Sequence, residues 1–192
     1  MLLATMGRFP LISHTLDIAP SRARRQTLRS IAHRLPSGRL FGMPTVLVPL
    51  LIALDQILKL WALENLSPVP RPLLGDLLYL TLVQNTGAGF GLFQGKAFLL
   101  GWLSLLVGTA FLYLLARRRY PLWEALALSL LAAGALGNGI DRLGRGWVVD
   151  YLDLGTQLPL IATFPVFNLA DVCVTLGAAL LLLAPRRRRR WI

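Results

Sequence analysis

The chain has 192 residues, of which 55% are hydrophobic and only 15% charged, with a formal net charge of +11. Mean hydropathy is +0.61, and an ordinary soluble domain carries about 25% charged residues, so the composition argues against a water-soluble globule and for one membrane-embedded domain. Nucleic acid is not an expected partner either: fifteen of the twenty basic residues flank apolar runs, and no nucleic-acid motif accompanies them.

Residues 1–43 are rich in Arg, Ser and Pro, with seven arginines before residue 44. They lack both a span-length apolar run and the apolar core and cleavage site of a secretory signal. They are expected to form a mobile cytoplasmic tail, and Met43 offers an alternative start of translation. Four apolar stretches follow, at 44–63, 97–116, 122–140 and 164–184. Each is about the 20 residues needed to cross a hydrocarbon core. Lipid satisfies no open backbone groups, so each is expected to be a helix. The second ends at Arg117, Arg118 and Arg119, and Tyr120-Pro121 turns the chain into the third. The fourth ends at Pro185 and five arginines, which make residues 185–192 a second basic tail.

Four spans put both termini on one side. The two tails and the Arg117–Arg119 loop share it, and the positive-inside rule makes it cytoplasmic. Only Arg71, Lys96, Arg142 and Arg145 remain for the outer side. The outer segments, 64–96 and 141–163, contain β-prone runs at 77–83 and 147–152. The first run precedes the turn-like Asn85-Thr86-Gly87. A small sheet on the outer membrane surface is expected. Ala133, Gly134, Gly137 and Gly139 in the third span suit close helix approach. The single cysteine, Cys173, is expected to pack as a small apolar residue.

The polar residues inside or beside spans gather at one level. Asp55 and Lys59 share a face in the outer half of the first span. Asn138, Asp141 and Arg142 lie where the third emerges, and Asn85 and Gly87 lie before the second re-enters. Asn168, Asp171 and Thr175, three and four apart, make a polar stripe in the fourth, with Asp171 roughly 10 Å below its outer end. Ionisable groups within spans are functional candidates by default.

Simpler readings stay open. Asp55 and Lys59 can be a bare intrahelical pair, with Lys59 snorkelling to the surface. Asp141 and Arg142 can be a capping pair, Asn85 and Gly87 a turn. Asp153 reads as a solvated loop acid, pointing away from Asp150 by strand alternation. Two carboxyls held together in a low-dielectric site share one proton, so that one serves as base and the other as acid. Such a pair activates water against an amide and protonates the leaving amine. The two histidines, His14 and His33, both lie in the tail, which leaves the outer side without the usual zinc ligands.

Four segments, in order, resemble the lipoprotein signal peptidase (signal peptidase II) family. They are Asp55-Gln56-Ile57-Leu58-Lys59, then Asn85-Thr86-Gly87-Ala88-Gly89-Phe90. Next is Gly137-Asn138-Gly139-Ile140-Asp141-Arg142, running on to Val148-Val149-Asp150, and last Phe167-Asn168-Leu169-Ala170-Asp171. The likeness covers residues 44–184. Gly89 stands where the family usually has Ala, and residues 1–43 have no counterpart in it. The resemblance implies an all-α membrane protein: four transmembrane helices, a small extracytoplasmic β-cradle and a short surface helix. It implies an aspartic endopeptidase that removes signal peptides from diacylglyceryl-modified prolipoproteins, cleaving before the lipidated cysteine, without metal or cofactor. It assigns catalysis to Asp150 and Asp171. Asn85, Asn138, Arg142 and Asn168 would support the site or the substrate backbone, with Gly87, Asp141, Asp55 and Lys59 as further site-supporting residues. A monomer in the cytoplasmic membrane is expected, with prolipoproteins and lipids as its partners. A small transporter using Asp55 and Asp171 is the rival; it would need polar groups along the whole membrane depth, whereas here they gather on one side and the second span carries no charge. A noncatalytic lipoprotein-binding relative is a second rival, and the presence of both Asp150 and Asp171 argues against it.

Overall fold

The computed structural model describes residues 43–118, 120–155 and 164–183. Both expected tails lie outside them, except Met43, which opens the first helix. In chain order the elements are α1 (Met43–Asn65), β1 (Arg71–Leu74), β2 (Leu78–Asn85), a 3-10 turn (Gly89–Gly91), α2 (Ala97–Arg117), α3 (Leu122–Gly144), β3 (Val148–Asp153) and α4 (Leu169–Leu183).

Three helices, α1, α2 and α3, are long and apolar enough to cross a bilayer. They start within a residue of the expected spans and run one to four residues further. The fourth differs. Its expected apolar stretch began at residue 164, yet α4 begins at Leu169 and has 15 described residues. The preceding residues 164–168 are not helical. Phe167 bridges Leu152 of β3, accepting from the Tyr151 and Leu152 N–H groups and donating to the Leu152 carbonyl. A bridge to β3 therefore takes Phe167, an apolar residue that by composition alone would have continued a helix. The polar stripe also changes: Asn168 lies just ahead of α4 rather than within it, and Asp171 is in the first turn. Nor is the implied short surface helix seen as an α-helix among the described residues; the link from β2 to α2 holds only the 3-10 turn.

α3 is the central helix. It packs against α1, α2 and α4, and 61% of its apolar window is buried, compared with 22% for α1 and 17% for α2. Its glycines allow this. A Cβ on Gly134 would collide with the Ala170 carbonyl of α4, and one on Gly137 would come 2.8 Å from an Asp55 carboxylate oxygen. By contrast, α1 and α2 leave Leu50, Ile57, Leu60, Phe98, Trp102 and Leu106 exposed. Apolar surface of that extent suits a lipid environment.

The three strands form one antiparallel sheet in the order β1-β2-β3. The runs expected at 77–83 and 147–152 correspond to β2 and β3, while β1 was not foreseen. Val148, Val149 and Tyr151 favour the pleated, buried strand that β3 becomes. Its register with β2 shifts by one residue between Leu80 and Val83, a bulge that sets Val83 opposite Asp150 and Asn85 opposite Val148. Two apolar clusters lie along α1. One gathers Val48 with Leu115, Leu128 and Ala132, the other Ala62 with Val149 and Tyr151. Asp55 and Lys59 sit between them.

Candidate active site

The start of α4 is built by reciprocal capping. The Asn168 side chain accepts from the Asp171 N–H at 3.0 Å, and the Asp171 carboxylate accepts from the Asn168 N–H at 3.1 Å. This capping box satisfies two helix-end donors. A third, the Ala170 N–H, donates to Asp55 of α1 at 3.0 Å. Asp171 thus has its position fixed by the backbone it caps, at a helix end that favours negative charge.

Lys59 is wholly buried. Its Nζ lies 2.8 Å from Asp55, 2.9 Å from Asp141 and 2.9 Å from the Asn138 carbonyl oxygen. Asp55 and Lys59 do pair within α1, but the pair also ties α1 to α3 and α4, and Lys59 does not snorkel. Asp141 and Arg142 are not a mutual cap. Neighbours on a helix do not face each other, and these diverge. Asp141 accepts from Lys59, Arg145, Gln56 and the Val149 N–H. Arg142 donates to the Gly87 carbonyl at 2.9 Å and to Ser104 at 3.4 Å. Its buried Nε has no hydrogen-bond partner among the described residues.

Asp150, 2% exposed, projects from β3. Asn85 is its diagonal neighbour across the ladder and donates to it at 2.9 Å. The Asn85 side-chain oxygen, Oδ1, accepts from the Gly87 N–H, so the expected turn and the contact to Asp150 coexist. Asn168 donates to the other Asp150 oxygen at 2.7 Å, and Asn138 donates to Asp171 at 2.8 Å. The Asn168 side chain also donates to the Asn138 carbonyl oxygen at 3.1 Å. Asn168 therefore bonds directly to both carboxylates. Burial, and then the nearby Asp171 charge, push the Asp150 carboxyl up to about 7, with the two asparagine contacts opposing the rise. Asp153 is at the far end of β3, opposite Tyr79.

The signal peptidase II family model matches residues 47–185. The chain belongs to the signal peptidase II family. A lipoprotein signal peptidase of Synechococcus sp. (strain RCC307) is 45% identical over 72% of this chain and 91% of its own length. Another, from Deinococcus radiodurans, is 39% identical over 87% of this chain and 94% of its own. The latter match covers more than residues 44–184 can supply, so it reaches into the basic ends. Among solved structures, a bacterial membrane enzyme determined by the in meso method at 2.3 Å has a TM-score of 0.67 at 30% identity, covering 76% of this chain and 88% of that one. As a signal peptidase II, the chain is a membrane aspartic peptidase that removes signal peptides from prolipoproteins.

In this signal peptidase II, a cavity of about 170 Å³ opens at Asp150. Its walls include Val83, Gln84 and Asn85 of β2, Ala88, Gly91 and Gln94 of the following loop, and Pro165 and Val166 ahead of α4. The sequence reading missed several contributors. Arg145 stands four residues after Asp141, a helical ion-pair spacing that was open to view. Gln56 reaches Asp141 across helices, and Ser104 receives Arg142; neither had a local signal. The Tyr151 hydroxyl, buried beside the Leu169 main chain, is held protonated by burial and then by the Asp55 charge. Among the described residues no three His, Cys, Asp or Glu side chains group as metal ligands.

Proposed function

We propose that Asp150 and Asp171 are the catalytic pair of this peptidase. One observation carries the reading: two carboxyls, from a strand and a helix start, are joined through one buried asparagine and have neutral amides as their near partners. With one proton between them, Asp150, Asp171 and Arg142 together are neutral, which a low-dielectric site favours. Asp150 holds that proton at rest, and ionised Asp171 takes a proton from water as the water oxygen attacks the scissile carbonyl. Asp150 then protonates the amine of the lipidated cysteine as the C–N bond breaks. Arg142 and Asn85 position the loop beside the pair, and Lys59, Asp55 and Asp141 hold the helices that carry it.

The proposal extends to the setting. α4 belongs to a fourth span, with both termini cytoplasmic and the cavity at the outer face. The enzyme works as a monomer among lipids, and residues 1–43 are dispensable for cleavage. The arginine distribution supports this orientation. Cysteines placed at Asp76 and Thr156 should label from outside; labelling of either from the cytoplasm would overturn the topology. For the chemistry, the purified protein should release the signal peptide from a diacylated prolipoprotein, while Asp150→Asn and Asp171→Asn should not. Full cleavage by either variant would refute the pair.

A further inference from the structure

Val149 does not use its main-chain polar groups on the β2–β3 ladder. Its N–H donates to Asp141 at 3.2 Å, and its carbonyl accepts from Asn168 at 3.3 Å. In an antiparallel pair, residues opposite each other alternate between bonded and non-bonded pairs. Gln84 stands opposite Val149, so theirs is a non-bonded pair, and the Gln84 N–H and carbonyl point away from β3. Leu82, two residues earlier, agrees: its N–H turns the same way and donates to the Ser67 carbonyl.

On that side β2 runs out of partners. β1 pairs no further along β2 than Leu80, and Ser67 and Pro68 meet Leu82 and Thr81. Among the described residues nothing bonds the Gln84 main chain. Gln84 is exposed and lines the same cavity as Asp150. An open edge of one donor and one acceptor therefore lies on the wall of the cavity that opens at Asp150, on the side of β2 away from β3.

We propose that the substrate's main chain, extended across the cavity, adds to this open edge as a short strand, exchanging hydrogen bonds with the Gln84 N–H and carbonyl. Strand addition draws affinity from main-chain bonds and leaves side-chain choice to pockets. It would fix the register of the residues flanking the scissile bond as they cross the cavity toward Asp150, because Val83 and Asn85 on either side of Gln84 are the residues locked to β3. An enzyme that processes peptides of differing side chains gains from a contact independent of them. This inference rests on Asp150 being catalytic.

The test is a set of diacylated lipopeptide substrates, each with one backbone amide near the scissile bond replaced by an ester, assayed with the wild-type enzyme. An ester removes the N–H donor without added bulk. One position, or alternate positions, should raise KM several-fold to about tenfold, the range one main-chain hydrogen bond supplies, with kcat within about twofold. Gln84→Pro, which removes the enzyme's donor at a position the β3 ladder does not use, should raise KM similarly. A flat ester scan, or an unchanged KM in a folded Gln84→Pro enzyme, would overturn strand addition alone. Failure of wild type to cleave the unmodified peptide would overturn both this inference and the peptidase site.

Discussion

Asp55 and Asp141 are buried against cations, whereas Asp150 and Asp171, a few side chains away, are buried against amides. In the first region Lys59 lies between both carboxylates and Arg145 adds a second positive charge to Asp141. In the second, Asn85, Asn138 and Asn168 supply the contacts, and no ion pair reaches either carboxylate among the described residues. A pair of carboxylates buried around a shared cation serves to lock α1, α3 and α4 together. A carboxylate contacted by neutral donors, beside a second carboxyl, can hold a proton near neutral pH and pass it on. The same side chain is thus structural or reactive according to its partners, and Asn138 links the regions, accepting from Lys59 and donating to Asp171.

The contrast is breakable. Lys59→Met should have the largest effect on folding, since it strands Asp55 and Asp141 without their shared cation; removing one partner of a buried pair costs about 3–5 kcal/mol. Thermal unfolding in detergent should show a large fall in Tm, and an unchanged Tm would mean Lys59 clamps nothing. Asn168→Ala should cost about a hundredfold in kcat, the scale of a small misplacement of reacting groups, with only about 1 kcal/mol of stability from the lost cap. Single-turnover assays alongside unfolding would separate the two.

A pH profile sharpens the second region. The raised Asp150 group is protonated below about 7, so the general acid is present there and is lost as pH rises through that value. Cleavage should fall about tenfold per pH unit well above it, and a rate flat to pH 9 would deny the shared proton. Asp153→Asn should be the mildest, within about twofold of wild type, because Asp153 lies at the opposite end of β3 from the Asn85 and Asn168 contacts.

Much of this arrangement was legible in the sequence. Ala97 and Leu122 begin helices where unbroken apolar runs begin, and Val148-Val149 followed by Tyr151 announced a strand. The site segments were visible as polar interruptions of those runs. What escaped depended on tertiary partners. Phe164 to Phe167 read as helix because they are mostly apolar, yet Pro165 interrupts them and Phe167 pairs with Leu152 instead. Asn168-Leu169-Ala170-Asp171 carried the spacing of a capping box, yet inside an apolar stretch it read as one face of a longer helix. Asp141 and Arg142, adjacent in sequence, looked like a pair until α1 and the Gly87 loop drew them apart. The bulge between Leu80 and Val83, which sets Asn85 near Asp150, had no local marker.

The most direct test of the division is one matched series, Asp55→Asn, Asp141→Asn, Asp150→Asn and Asp171→Asn, each measured for prolipoprotein cleavage and for Tm in the same detergent. The account predicts that Asp150→Asn and Asp171→Asn lose cleavage by about a hundredfold or more while their Tm stays near wild type. Asp55→Asn and Asp141→Asn should lose Tm first, with activity following the folded fraction. Near wild-type cleavage by a well-folded Asp150→Asn or Asp171→Asn would contradict it.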